Sequence, residues 1–192
     1  MNFREPLWWN QLNGDKAVVL VTQGTIANFD FNQLIQPTLS ALANEDVLVI
    51  AATGRTDTDT ESIVAPSNAR VESFVPFDRL LPKVDVLVTN GGYGAVHQAL
   101  SLGVPIVIAG ETEDKALISA RVHWTGAGVS LGTQDPTEEQ IGSAVRTVLA
   151  DPRYRQRARA IRENFKRYDA PGAITQAVES LIEQRSFTLL AE

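Results

Sequence analysis

The chain has 192 residues, of which 44% are hydrophobic, and a formal net charge of −6 at pH 7. This length is enough for one domain with a sizeable core and short for two. The acidic balance argues against a surface that attracts nucleic acid or anionic lipid by bulk charge, so an anionic ligand would have to be held locally. Because the chain has no cysteine, disulfides and thiolate metal sites are excluded.

The apolar runs of the chain are short. Residues 1–14 lack the basic start and long apolar run of a signal peptide, and no apolar stretch approaches the roughly 20 residues of a membrane helix. We therefore expect a cytoplasmic protein without an integral membrane segment.

Runs rich in Val, Ile and Leu recur along the chain. They lie at 17–22, 46–52, 84–89 and 105–109, and more weakly at 69–74 and 128–132. Continuous apolar runs without alternation are typical of strands buried on both faces. Since helical patterns separate them, the sequence predicts an α/β fold, a Rossmann-like doubly wound parallel sheet of about six strands with helices on both faces and C-terminal helices.

Helical patterns follow most of these strands. They cover residues 31–44, 93–102, 114–125 and 137–150. Pro37 conflicts with the first pattern, because an internal proline either kinks a helix or marks its start. That boundary stays open at this point.

The sequence after Pro136 has a helical pattern without further strand-like runs. Three helices are predicted there, separated at Asp151-Pro152 and at Ala170-Pro171-Gly172. The basic cluster at 153–167 alternates with apolar residues at helical spacing in an acidic protein. This spacing favours a solvated helix face over a nucleic-acid-binding surface.

Two short loops that contain glycine follow predicted strands. If the strand order is 3-2-1-4-5-6, the loops Gln23-Gly24-Thr25 and Asn90-Gly91-Gly92 border the crevice where open parallel sheets bind ligands. The free N–H groups of the following helix start could hold a diphosphate without side-chain charge. The same glycines could instead serve only a tight strand-to-helix turn. Neither G-x-G-x-x-G nor the P-loop pattern occurs, so NAD and ATP are disfavoured.

Four spaced segments carry a more specific signal. They are FVPFDRLL at 74–81, VTNGGYGAVHQAL at 88–100, GVPIVIAG at 103–110 and EDKALISARV at 113–122. In this order they resemble the nucleotide-sugar signature of GT-B fold glycosyltransferases, in the UDP-glycosyltransferase and macrolide-glycosyltransferase-like family. VTQGTIAN at 21–28 is similar to the first donor-domain strand of that family and its loop. The resemblance implies a C-terminal domain that binds the nucleotide-sugar donor.

The resemblance also implies a domain organisation. Residues 1–16 would be the remnant of an interdomain linker, with Trp8 and Trp9 packed on the donor domain, and residues 17–192 would form one donor-binding domain. The acceptor domain, which carries the catalytic histidine base in the family, would precede residue 1. No catalytic residue is therefore expected in this chain.

The donor-binding roles follow from the resemblance, residue by residue. Phe74 would stack on the base and the backbone of Val75 would hydrogen-bond to it. Asn90 stands where a phosphate-binding histidine is usual, and the helix start from Gly92 to Ala95 matches the segment that receives the diphosphate. The predicted donor-binding residues are Gly24, Thr25, Phe74, Val75, Asn90, Gly91, Gly92, Tyr93, Gly94, Ala95, Gln98, Asp114 and Lys115.

The resemblance assigns three of these residues to the ribose and the sugar of the donor. Gln98 stands at the position of the ribose-binding glutamate of the family. Asp114 and Lys115 match an Asp-Gln pair that contacts sugar hydroxyls, although Asp114 could instead only favour the start of its helix. Lys115 departs from the pattern, and could contact a phosphate, contact an acidic sugar or point to solvent.

Other signals favour structural roles. Asp57-Thr58-Asp59 resembles a metal-binding D-x-D, but its polar surroundings favour a solvated loop, and no metal site is expected. His97 lies on a different helix face from Gln98, which favours a packing or surface role. His123 precedes Gly126, a helix stop signal, and is also interpreted as structural.

The resulting hypothesis is the donor half of an inverting, metal-independent glycosyltransferase that moves a hexose to a small or lipid-like hydroxylated acceptor. A UDP-sugar is the favoured donor, no cofactor is expected, and the chain is predicted to be inactive without its acceptor domain. One alternative is a noncatalytic nucleotide-sugar-binding subunit that acts with a separate acceptor subunit. A nucleotide-sugar epimerase is a weaker alternative, because no acid-base cluster stands near the glycine loop. An exposed interdomain face would also allow self-association.

Overall fold

A computed structural model describes residues 3–25, 28, 30–54 and 63–189, with side chains through residue 182. The chain divides after Arg162 into two compact units. The first unit contains the sheet, and the second contains the last long helix. The expectation of a single domain over residues 17–192 stays a prediction.

The sheet has six strands in the order β3-β2-β1-β4-β5-β6, and every neighbouring pair is parallel. The strands are β1 Ala17–Thr22, β2 Val47–Ala52, β3 Ala69–Glu72, β4 Val86–Thr89, β5 Ile106–Ile108 and β6 Gly128–Ser130. Strands β2, β4 and β5 are buried along their whole length, which explains their unbroken apolar runs. Both the predicted Rossmann-like α/β fold and the predicted strand order are confirmed.

Helices connect and flank the strands. They are α1 Ile35–Ala41, α2 Phe77–Leu80, α3 Tyr93–Ser101, α4 Lys115–Thr125, α5 Glu138–Ala150, α6 Pro152–Phe165 and α7 Ala170–Leu189. Leu39 of α1 and Val145 of α5 belong to the buried cluster that includes Val19 and Val88 of the central strands. These two helices therefore cover one face of the sheet. None of the described helices combines the length and the apolar character needed to cross a membrane.

The conflict at Pro37 has a simple resolution. Residues Phe31–Gln33 form a 3-10 turn, and α1 starts only at Ile35, so the predicted helix over 31–44 is shorter than expected. Pro37 is the third residue of α1 and lies in its first turn. The N–H groups of a first turn have no partner within the helix, so a proline is tolerated there.

The C-terminal helices follow the prediction with one correction. Residues Ala170-Pro171-Gly172 do not separate two helices but form the first turn of α7. Asp169 precedes this turn, and its carboxylate accepts a hydrogen bond of 3.0 Å from the N–H of Gly172. The aspartate thus supplies the start signal, and the proline occupies a position where it costs no hydrogen bond.

The segment before β1 packs on the sheet-bearing unit. Residues Leu7–Asn13 form a 3-10 helix in which Trp9 is buried. The indole N–H of Trp8 donates a hydrogen bond of 2.6 Å to the Oε1 of Glu72, at the end of β3. The two tryptophans anchor the segment as expected, while its role as an interdomain linker stays a prediction.

Candidate functional site

A pocket of about 520 Å³ opens at the carboxyl ends of the parallel strands. The positions that follow β1, β3, β4 and β5 contribute to it, and α3 starts on its wall. The lining residues are Thr22, Gln23, Gly24, Thr25, Ala52, Gly54, Ser73, Phe74, Val75, Phe77, Asn90, Gly92, Tyr93, Gly94, Ala95, Gln98, Glu113, Asp114 and Lys115. This location is where open α/β sheets bind ligands.

All the predicted donor-binding residues except Gly91 line this pocket. Gly91 is buried below it with φ at 91°, a left-handed conformation that favours glycine. A Cβ atom at this position would lie 3.1 Å from the Cδ1 of Ile108. Gly91 therefore shapes the turn after β4 and does not face the pocket.

Some lining residues lie outside the predicted donor-binding set. They are Thr22, Gln23, Ala52, Gly54, Ser73, Phe77 and Glu113. Gln23 belongs to a loop that the sequence already placed beside the crevice, and the same rule could have identified Thr22 and Ala52, which end buried strands. Phe77 and Glu113 lie within the signature segments 74–81 and 113–122, but the sequence did not single them out as contacts.

The start of α3 presents free backbone N–H groups to the pocket. Gly92 is the N-cap residue, and no side chain caps this helix. The N–H of Val96 makes the first bond of the helix, to the carbonyl oxygen of Gly92 at 3.2 Å. The N–H groups of Tyr93, Gly94 and Ala95 precede that bond. Because a Cβ atom at Gly94 would meet nothing within 4 Å, a ligand can approach the backbone here.

Asn90 braces the floor of the pocket. Its Nδ2 donates a hydrogen bond of 2.6 Å to the carbonyl oxygen of Gln23, and its Oδ1 lies 3.4 Å from the N–H of Gly92. Gln23 is buried and in turn bonds to the backbone of Asp30 and Ile35, each at 2.9 Å. Asn90 thus has a bracing role that the sequence did not reveal, and its predicted phosphate contact stays a prediction.

Two exposed aromatic residues line the pocket. Phe74 follows β3 and is 65% exposed, whereas the next residue, Val75, is buried. Tyr93 at the start of α3 is also exposed, and its ring stacks on His97 with 5.6 Å between centroids. An exposed ring on a pocket wall offers a stacking face to a planar ligand.

Charged residues also line the pocket. The Nζ of Lys115 lies 2.9 Å from the Oε2 of Glu113 and 3.2 Å from the Oγ1 of Thr112. The Lys115 side chain is only 9% exposed, whereas that of Glu113 is 66% exposed. Lys115 therefore does not point to solvent. Asp114 is exposed, lines the pocket and makes no side-chain cap for α4.

A smaller pocket of about 270 Å³ adjoins the first one. The two pockets share Gln23, Asn90, Glu113 and Lys115. The smaller pocket also has the polar side chains of Gln33, Thr112 and Gln134 in its lining. Amide and hydroxyl groups in such a lining suit a ligand rich in hydroxyl groups.

The remaining signals lie outside the pocket. Asp57-Thr58-Asp59 falls outside the described residues. His97 is exposed and does not line the pocket, and His123 lies in the last turn of α4, which ends at Gly126 with φ at 70°. The predicted stop signal is confirmed. Within the described ranges, no group of three or more His, Cys, Asp or Glu side chains could hold a metal ion.

Comparison with known proteins identifies relatives over most of the chain. Residues 36–181 match the family described as erythromycin biosynthesis protein CIII-like, C-terminal domain. The chain is 46% identical over 181 residues to 4'-demethylrebeccamycin synthase of Lentzea aerocolonigenes, covering 94% of this chain and 42% of that protein. It is 41% identical over 180 residues to UDP-glycosyltransferase 2 of Phaeomoniella chlamydospora, covering 92% of this chain and 40% of that protein. The chain spans about two fifths of the length of these curated relatives.

Solved structures agree with this match. The calicheamicin glycosyltransferase CalG4 is similar with a TM-score of 0.77 and 25% identity, over 86% of this chain and 42% of that one. The glycosyltransferase VinC in complex with dTDP is similar with a TM-score of 0.69 and 26% identity, over 84% of this chain and 40% of that one. The chain therefore belongs to the erythromycin biosynthesis protein CIII-like C-terminal domain family and is a C-terminal, donor-binding type of domain of the GT-B fold UDP-glycosyltransferases.

Proposed function

We propose that this chain binds a nucleoside diphosphate sugar, with a UDP-sugar favoured, as the donor half of a glycosyltransferase. The observation that carries the proposal is the uncapped start of α3 on the wall of a pocket that aromatic, polar and charged side chains also line. A ligand that combines a base, a diphosphate and a hydroxylated sugar can use all of these groups. The names of the relatives and the dTDP complex of one solved neighbour support the same ligand class.

Each part of the donor would have its own contacts. Phe74 would stack on the base, and Gln98 would bond to the ribose. The N–H groups of the segment from Gly92 to Ala95 would hold the diphosphate. Asp114 would accept hydrogen bonds from sugar hydroxyls, since an ionised carboxylate is a strong acceptor. In this arrangement the diphosphate is the leaving group and stays bound to preformed N–H groups. These N–H groups stabilise the negative charge that develops on it as its bond to the sugar breaks.

The reaction proposed for the complete enzyme is transfer of a hexose with inversion to a small or lipid-like hydroxylated acceptor. The general base would come from an acceptor-binding half, in the same polypeptide or in a separate subunit. No cofactor is required in this scheme. Because backbone N–H groups hold the diphosphate, we expect that a chelator leaves donor binding unchanged. A marked loss of affinity with EDTA would contradict the metal-independent scheme.

Thermal stability of the purified chain with UDP, TDP, GDP and NAD tests the proposal. A ligand at about 100 times its dissociation constant should stabilise the fold by about 2.7 kcal/mol. We expect stabilisation by a nucleoside diphosphate and none by NAD. If none of the three nucleoside diphosphates stabilises the chain, the proposed function is wrong.

A matched pair of variants locates the binding site. In Gly94→Trp, the new ring would cover the start of α3 without a backbone clash, because a Cβ atom there has open space. This change should abolish stabilisation by the ligand. Ala160→Trp, on an exposed position of α6, is the control and should leave it intact. Equal ligand responses from the two variants would place the ligand elsewhere.

A further inference from the structure

Lys115 is the only lysine or arginine among the described residues that line the larger pocket. We propose that Lys115 binds the diphosphate of the donor and that Glu113 competes with the diphosphate for the Lys115 ammonium group. This inference rests on the proposed function, and it names the residue pair that controls how tightly the phosphates are held.

The Lys115 side chain is fixed in place by its surroundings. A Cβ atom at Gly91 would lie 3.4 Å from the Cβ of Lys115, and one at Gly110 would lie 3.2 Å from its Cδ. The lysine stem therefore fills the space between the turns that follow β4 and β5. The Lys115 side chain is itself largely shielded from water, so its charge needs a partner.

The partner of this ammonium group is itself easily exchanged. The Glu113 side chain is mostly exposed, so water can solvate its carboxylate when the ion pair opens. Glu113 is also the only residue other than glycine with a positive φ in the described part of the chain, at 57°. This left-handed turn brings the carboxylate back towards Lys115, two positions later. Lys115 is thus the fixed member of the pair and Glu113 the replaceable one.

The ion pair of Lys115 and Glu113 lies beside the proposed site of the phosphates. Lys115 and Glu113 line both pockets, together with Asn90 and Gln23. The ammonium group therefore lies near the junction of the two pockets, and the N–H groups of the α3 start lie on the wall of the larger one. A diphosphate bound at those N–H groups would attract Lys115 and repel Glu113. Because it carries more negative charge than one carboxylate, it would displace Glu113 from Lys115.

This competition predicts effects of opposite sign for the two residues. Lys115→Met keeps the length of the side chain and removes its charge, so it should weaken UDP binding roughly tenfold or more. Glu113→Gln removes the competitor and the repulsion, so it should tighten UDP binding by about threefold. A pair that only stabilises the fold would not give a gain in affinity when one member is removed.

Titration calorimetry of the purified chain with UDP, and with TDP if UDP does not bind, measures both effects. Uridine or thymidine, which lack phosphates, should bind all variants with equal affinity. Glu111→Gln is the matched control, because Glu111 is an exposed carboxylate on the same loop that does not line the larger pocket. It should change the dissociation constant by less than about twofold, since a screened surface charge contributes little.

The outcomes separate this inference from the proposed function. If the unmodified chain binds no nucleoside diphosphate, the proposed function is wrong. If it binds UDP but Lys115→Met binds equally well, or Glu113→Gln binds more weakly, only the role of the ion pair is overturned. Thermal melts of each variant check that it is folded, and the Glu113→Gln result decides the question even if Lys115→Met does not fold.

Discussion

The side-chain nitrogen of Asn90 lies 2.6 Å from the carbonyl oxygen of Gln23 and joins the loops after β4 and β1. These residues are 67 positions apart in the chain. Their contact lies under the start of α3, because the Oδ1 of Asn90 also faces the N–H of Gly92 at 3.4 Å. The strand order makes this possible, since β1 and β4 are neighbours in the sheet. The two loops therefore form one continuous floor for the pocket.

Replacing Asn90 by alanine should loosen this floor. The carbonyl oxygen of Gln23 would lose its donor, and a partly buried group left unpaired costs about 1–3 kcal/mol. Denaturant unfolding should show that loss, and UDP binding should weaken as well. Asn10→Ala, at an exposed position of the first 3-10 helix, is the control and should change stability by less than about 0.5 kcal/mol. Equal unfolding midpoints for the two variants would contradict the bracing role.

The capping box of α5 should make a measurable contribution to stability. The Oγ1 of Thr137 accepts from the N–H of Gln140 at 3.2 Å, and the Oε1 of Gln140 accepts from the N–H of Thr137 at 2.9 Å. Thr137→Ala should reduce the free energy of unfolding by about 1 kcal/mol. Thr147→Ala, within the exposed part of the same helix, should be neutral or slightly stabilising, because alanine favours helices. Urea unfolding of both variants measures the change. A loss of unfolding free energy that is confined to Thr147→Ala would contradict the stabilising role of the capping box.

Gly110 should tolerate no side chain. A Cβ atom at this position would lie 2.0 Å from the carbonyl oxygen of Asn90 and 3.0 Å from its carbonyl carbon. Because both atoms belong to the backbone of the loop after β4, they cannot move aside without distorting the pocket. Gly110→Ala should therefore cost about 3 kcal/mol or more, or prevent folding. Circular dichroism melts of the purified variant test this expectation.

Gly94→Ala should behave in the opposite way. A Cβ atom there has open space, and Gly94 lies within the first turn of α3. The alanine should stabilise the fold by about 0.4–1 kcal/mol, because it restricts the unfolded chain. We expect UDP to bind more weakly at the same time, since the methyl group covers part of the backbone. A variant that is both less stable and a better binder would refute the open geometry of this helix start.

Arg155 and Asp85 should stabilise the junction of α6 with the sheet. Arg155 donates to the carboxylate of Asp85 at 2.5 Å and to its carbonyl oxygen at 3.0 Å, and the same carboxylate accepts from the N–H of Val18 at 2.9 Å. Burial lowers the pKa of the Arg155 guanidinium from its usual value, and attraction by Asp85 opposes that change. Arg155→Met should cost about 1 kcal/mol, because the pair is partly exposed and screened by water.

A double-mutant cycle isolates this contact. If the pair matters, Asp85→Asn and Arg155→Met together should cost less than the sum of their separate effects, by roughly 0.5 kcal/mol or more. Arg157→Met is the control, because Arg157 is exposed on the same helix. Additive effects within about 0.3 kcal/mol would show that the two side chains do not interact energetically.

Much of the fold was predictable from local patterns. The apolar runs identified β1, β2, β4 and β5, because strands buried on both faces need apolar residues at successive positions. The weaker patterns at 69–74 and 128–132 identified the edge strands β3 and β6, which are only partly buried. The start of α3 at Tyr93 was also predicted, since glycines precede it and a helical pattern follows. Local rules were weaker at Phe31–Gln33, where a 3-10 turn precedes Pro37 and shortens the predicted helix. There the tertiary environment selected between two locally acceptable boundaries.

Some features of the candidate site were likewise predictable from local patterns, and others were not. The strands and the glycine-bearing segment from Gly92 to Ala95 were readable from the sequence, because each is specified by residues close together in the chain. The contact of Asn90 with Gln23, and the burial of Lys115 against the turns after β4 and β5, became visible in the folded chain alone. Those contacts join distant segments, and the packing of the loops over the strand ends sets their distances. A pattern of neighbouring residues carries no such information, since it reports local preference and burial but not which loops meet.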